Sequence, residues 1–163
     1  MDTVPIEERI GRLLTERGLT LSVAESCTGG LICHRITNVP GSSAYMMGGV
    51  VAYAYDAKEH LLDVSHNTLY DHGAVSQETA MEMSRGVRRR MGTDLGLSVT
   101  GIAGPGGGMP GKPVGLTWIA LSTRHGESAH KFIWDSDRLG NKEKSAQAAL
   151  QLLYDYLVQN PND

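Results

Sequence analysis

Ser43, Tyr53 and Lys58 follow one another closely in the chain, and their types suit a hydroxyl nucleophile, a proton relay and an amine base where no histidine is at hand. Lys58 lies in Asp56-Ala57-Lys58-Glu59, whose Asp-x-x-Glu pattern reads as a capping box opening a short helix through Leu62. A cation in the first turn of a helix faces the positive end of the macrodipole, which disfavours its protonated form. Such an amine can serve as base for a hydroxyl. Ser43 follows the Pro40-Gly41 turn and precedes the small Ala44, an accessible position for a nucleophile. Tyr53, ending the preceding strand, is placed to relay the proton or to hold the lysine. A turn serine and a solvated lysine satisfy the same spacing.

Anion chemistry is written in the glycines. There are 20, concentrated at Gly29-Gly30 and between Gly101 and Gly115. The segment Ala24-Glu25-Ser26-Cys27-Thr28-Gly29-Gly30 runs from a strand end into a helix start, so Ser26, Thr28, Gly29 and Gly30 offer either a phosphate cradle or a plain N-cap. The loop from Thr100 to Gly108 leaves the carboxyl end of a strand, where open α/β sheets bind ligands. Its exposed amides, around Gly101 and Gly104, suit an anion nest or an oxyanion hole. Arg138 precedes the last helix, and its planar fork suits a phosphate or carboxylate, or else a surface salt bridge.

Three literal motif matches fail on context. Gly106 to Gly111 fits GxGxxG, but Lys112-Pro113-Val114 leads into a strand rather than a helix. The same stretch lacks the Ser or Thr of a P-loop, since Pro113 stands there. Ser128-Ala129-His130-Lys131 fits Ser-x-x-Lys, yet residues three apart on a strand point to opposite faces.

The elements that must position these groups follow from periodicity. Ile6, Ile10, Leu13 and Leu14 predict a helix closed by Gly18. Leu21–Ala24, Gly48–Ala54, Leu95–Thr100, Val114–Ser122 and Ala129–Trp134 read as strands, the last two joined by a turn at His125-Gly126. Leu31–Ile36, Gln77–Met91 and Asn141–Val158 read as helices, with Ser65 and Ser76 as further N-caps. Early alternation followed by a late hairpin predicts one three-layer α/β/α domain around a mixed sheet, spanning 1–163 without linker or repeat.

Composition narrows the function classes. A net charge of −3 argues against a nucleic-acid partner, and the cluster Arg85, Arg88, Arg89 and Arg90 falls on a helical pattern as a solvated face. The two cysteines, Cys27 and Cys33, and the six histidines lack zinc spacing. The acidic N-terminus and the absence of a long apolar run predict a cytoplasmic protein with reduced thiols and no membrane span.

Six segments also occur together and in order: Ala24–Gly30, Gly41-Ser42-Ser43-Ala44, Tyr53 with Lys58, Gly73-Ala74-Val75-Ser76, Thr100–Pro105, and Lys112–Gly115. In these the chain resembles the CinA C-terminal domain family, specifically its stand-alone nicotinamide-nucleotide amidases, over nearly its whole length. That resemblance implies hydrolysis of nicotinamide mononucleotide to nicotinic acid mononucleotide and ammonia, without metal or cofactor. It implies an α/β/α fold and a homo-oligomer, with a dimer favoured. By matching position Ser43 becomes the nucleophile, Lys58 and Tyr53 its activators, and Thr100 and Arg138 aids to catalysis or substrate binding. Ser136-Asp137-Arg138 stands where the family commonly shows Gly-Asp-Arg, and Gly106 where a polar residue is common. The alternative is a non-catalytic pyridine-nucleotide-binding module tied to competence or DNA damage; a phosphate-ester hydrolase is weaker, for want of a P-loop or paired carboxylates.

Overall fold

Ile6, Ile10 and Leu14 share one face of the first helix, and that face is buried. Helix α1 (Ile6–Arg17) ends where Gly18 adopts φ 64°, a left-handed cap suited to glycine. A computed structural model describes residues 3–163; Met1 and Asp2, the start of the domain expected at 1–163, lie outside the described residues. Strand β1 (Leu21–Glu25), helix α2 (Leu31–Thr37), a 3₁₀ turn at Ser42–Ala44 and strand β2 (Met46–Val51) come next. Helices α3 (Tyr55–Leu62), α4 (His66–His72) and α5 (Gln77–Met91) lead to strands β3 (Leu95–Gly101), β4 (Leu116–Thr123) and β5 (Gly126–Ile133), and helix α6 (Arg138–Gln159) follows.

The five strands form one mixed sheet in the order β2-β1-β3-β4-β5. β1 is parallel to both β2 and β3, while β3–β4 and β4–β5 are antiparallel. Helices α1, α2 and α6 cover one face around Leu14, Ile32, Leu97 and Leu150. Helices α3, α4 and α5 cover the other around Leu62, Leu69, Met83 and Val87. The result is the α/β/α sandwich expected. After β1 the chain crosses one face to β2, and after β2 it crosses the opposite face to β3. The carboxyl end of β1 is therefore a switch point, the place where such sheets leave a crevice.

Several boundaries differ from the sequence reading; β5, for one, begins at Gly126 rather than Ala129 and ends at Ile133 rather than Trp134. β2 begins at Met46 and ends at Val51, because Ala52 and Tyr53 turn their carbonyls out of the ladder to meet Lys58. Helix α3 is capped by Ala54 rather than by the expected box at Asp56, which lies inside the helix. β4 begins at Leu116, after a turn at Gly115 with φ 91°. Helix α6 begins a turn earlier than expected, since the Asp137 side chain accepts the Gly140 amide at 2.8 Å; Arg138 is its first residue rather than a loop residue. One glycine sets the placement of α3. A Cβ on Gly86 would come within 1.8 Å of the Leu62 carbonyl oxygen, so only glycine lets α5 abut the end of the helix that carries Lys58.

Candidate active site

Lys58 is fully buried in the fourth position of α3, and its ammonium reaches across to the end of β1. It donates to Ser26 Oγ at 3.0 Å, to the Ala52 carbonyl at 2.8 Å and to the Tyr53 carbonyl at 3.1 Å. Burial pulls its pKa down to about 8, with the Cys27 thiol opposing that shift. Desolvation, rather than the helix dipole invoked from the sequence, is the principal cause. The geometry fixes what the neutral amine does. Its two remaining N–H bonds stay on the two carbonyls, and its lone pair faces Ser26 Oγ, whose proton it can accept.

Ser43 does not meet this lysine. It is exposed in the 3₁₀ turn that precedes β2, beside Tyr45, whose carbonyl takes the amide of Leu21 at the start of β1. Tyr53 and Lys58 follow the other end of β2. Six residues of strand separate the two ends by roughly 20 Å. The serine the structure brings to Lys58 is Ser26, which the sequence placed only among the anion-binding residues.

The phosphate cradle expected at the start of α2 is already filled. Glu25, fully buried, accepts the amides of Gly30 at 3.2 Å and Ile32 at 3.0 Å on one carboxyl oxygen, and of Cys33 at 3.0 Å on the other. A phosphate there would displace or oppose that carboxyl group. Glu25→Ala is expected to strand three amides and to lower stability by about 3 kcal/mol, or about 10 °C in Tm, measured by thermal unfolding.

Arg138 and Lys142, one turn apart on α6, take over the role of cations at the site. Arg138 donates to the Gly104 carbonyl at 2.7 Å and to the Tyr53 hydroxyl at 3.1 Å. The Lys142 ammonium lies 3.7 Å from where a Cβ on Gly29 would stand. Neither has a carboxylate partner among the described residues. Lys142 escaped the sequence reading; its signal was the i, i+4 spacing from Arg138. Tyr53 thus serves Lys58 through its main chain and Arg138 through its side chain, whose ring is 62 % exposed.

Thr100 is buried, with its hydroxyl on the Ala74 carbonyl at 2.7 Å, so it ties the Gly73–Ser76 segment to β3. A Cβ on Gly101 would lie 2.7 Å from Thr117 Oγ1 and 3.1 Å from Cys27 Sγ, which explains glycine at that close approach. Burial pushes the Cys27 thiol up to about 11, leaving it protonated beside Ser26. The Thr28 hydroxyl is buried without a hydrogen-bond partner in the same turn. Among the described residues no group of three or more His, Cys, Asp or Glu side chains gathers to hold a metal, and no helix is long and apolar enough to cross a membrane.

The family model of the CinA C-terminal domain matches residues 3–157. The chain belongs to the CinA family. A CinA-like protein of Chloroherpeton thalassium is 50 % identical over 158 residues, which cover 94 % of this chain and 38 % of that protein. This CinA domain thus spans well under half the length of the curated relatives it matches. Among solved structures, the competence/damage inducible protein CihA from Agrobacterium tumefaciens is 42 % identical with a TM-score of 0.88, covering 94 % of this chain and 97 % of that one. The competence damage-inducible protein A (ComA) from Klebsiella pneumoniae is 33 % identical with a TM-score of 0.91, covering 94 % and 95 % of the two chains.

Proposed function

We propose that this CinA domain is an amidohydrolase that converts nicotinamide mononucleotide to nicotinic acid mononucleotide and ammonia, with Ser26 as nucleophile and Lys58 as its base. The observation that carries this reading is the buried 3.0 Å contact between Lys58 Nζ and Ser26 Oγ, with two carbonyls holding the amine in register. A lysine so placed has no structural need that a hydrophobic residue could not meet, and its burial is costly.

Lys58 takes the proton as Ser26 Oγ attacks the carboxamide carbon. The amides of Cys27 and Thr28 are the donors assigned to the developing oxyanion, since those of Gly29 and Gly30 are held by the Ser26 carbonyl and the Glu25 carboxylate. Protonated Lys58 then gives its proton to the departing nitrogen, ammonia leaves, and the acyl ester on Ser26 remains. Water, deprotonated by the same amine, attacks that ester and frees the acid and Ser26. Arg138 and Lys142 bind the phosphate, and the exposed Tyr53 ring offers its face to the cationic pyridine ring.

Purified protein incubated with nicotinamide mononucleotide is expected to release ammonia in step with nicotinic acid mononucleotide. Binding without turnover would replace this reading with that of a nucleotide-binding module. Arg138→Ala and Lys142→Ala are each expected to raise KM for the mononucleotide by about tenfold to a hundredfold, loss of a charged hydrogen bond costing about 1.5–3 kcal/mol. With the phosphate-free nucleoside as substrate the same variants should match the parent. Equal effects on both substrates would remove the phosphate assignment.

A further inference from the structure

Ser26 is only 7 % exposed and Lys58 is fully buried, so the chemistry proposed for them needs part of the surrounding rim to move. Three sides of that rim are pinned. On the β2 side the Ala52 amide donates to the Glu25 carbonyl at 2.8 Å, and the Ala52 and Tyr53 carbonyls hold Lys58. The turn after Ser26 is closed by the Gly29 amide on the Ser26 carbonyl at 3.1 Å and by the Glu25 carboxylate. The first turn of α6 is tied to the chain beyond β3, with Asn141 donating to the Ala103 carbonyl at 2.9 Å and Arg138 to that of Gly104. The fourth side is the loop at 105–111. It is exposed throughout, and among the described residues its only hydrogen bonds join Met109 to Lys112. A Cβ on Gly106 or Gly111 would meet nothing within 4 Å.

The feet of this loop stand on opposite faces of the sheet. At one, the Gly104 carbonyl shares the Arg138 fork with the Tyr53 hydroxyl, which sets it one guanidinium away from the Tyr53 ring. At the other, the Lys112 ammonium donates to the His72 carbonyl at the end of α4, close to Ala74, whose amide donates to the Tyr55 hydroxyl at 3.3 Å. Met109 stands between them and is 58 % exposed. Five residues separate it from Gly104, a reach of up to roughly 17 Å. We propose that residues 105–111 are a lid that closes on bound substrate, laying the Met109 side chain against the pyridine ring on the face turned away from Tyr53. The proposal rests on the amidase reading for the identity of what the lid covers. A thioether is flexible and polarisable, packs well on aromatic rings, and brings no like charge to a cationic one. Fixed feet confine the motion to the tip, a segment with few contacts to lose on opening. Met109 then grips a part of the substrate that the mononucleotide shares with the phosphate-free nucleoside.

The test uses the Ser26→Ala protein, in which bound mononucleotide persists, treated briefly with dilute hydrogen peroxide and read peptide by peptide in a mass spectrometer. Saturating nicotinamide mononucleotide should slow oxidation of Met109 at least about fivefold, while Met47, 45 % exposed on β2, keeps its rate. Binding seen by calorimetry without protection of Met109 overturns the lid and leaves the amidase reading standing. Absence of binding removes that reading, and the lid with it. In the active protein Met109→Ser should raise KM about threefold to tenfold for mononucleotide and nucleoside alike, and Met109→Leu should restore it, with Tm unchanged in both. An effect confined to the mononucleotide, or no effect, overturns the contact between Met109 and the ring.

Discussion

Ser26→Ala is expected to lower kcat for ammonia release by at least about a thousandfold, while Ser43→Ala stays within about threefold of the parent. The contrast follows from position. Ser26 follows β1 at the switch point and shares a hydrogen bond with a buried amine. Removing its hydroxyl takes away the proposed nucleophile but leaves Lys58 on the two carbonyls, so the fold should lose no more than about 1 kcal/mol. Ser43 is exposed in the turn before β2, while Lys58 follows the other end of that strand. Both variants are checked by ammonia release and thermal unfolding, side by side. An active Ser26→Ala enzyme paired with an inactive Ser43→Ala enzyme would return the nucleophile to position 43 and dissolve the mechanism.

The two serines also show where the sequence was legible. Local signals carried the architecture: the Ile6-Ile10-Leu14 face and the Ser76 cap formed as read, and the late hairpin formed with both strands shifted in their bounds. Lys58 was also legible, as a lysine in the first turn of a short helix where its protonated form is disfavoured. Its partner was not, because Ser26 and Lys58 are 32 residues apart and meet only through the parallel pairing of β1 with β2. Proximity in sequence favoured Ser43 instead. Yet Ser43 precedes its strand and Lys58 follows it, and a parallel sheet gathers ligand sites at the carboxyl ends of its strands. That rule alone separates the two, and it selects Ser26. Glu25 was hidden for a related reason. An acid before a glycine-rich turn reads as part of an anion site, whereas here it reaches amides five to eight residues ahead and fills the α2 N-terminus itself.

Lys58 carries the other large effect. Its pKa near 8 means that about one molecule in ten has the free amine at pH 7, so kcat/KM should climb with pH and level off above about 8. Lys58→Met should abolish activity and with it that limb. Lys58→Arg keeps a donor but stays protonated, so it should be equally inactive if the residue acts as a base and partly active if it merely braces Ser26. Stability supplies a readout free of catalysis. Desolvation lowers the folded-state pKa from 10.5 to about 8, so below pH 8 both states hold the proton and the folded state bears the full cost of the buried charge. Between about 8 and 10.5 only the unfolded state holds it, and stability rises with pH. The unfolding free energy of the parent, measured against Lys58→Met by denaturant titration, should therefore gain about 3 kcal/mol across that window. A flat difference would mean that the amine is as well solvated inside the protein as out, and a solvated ammonium would not hand its lone pair to Ser26.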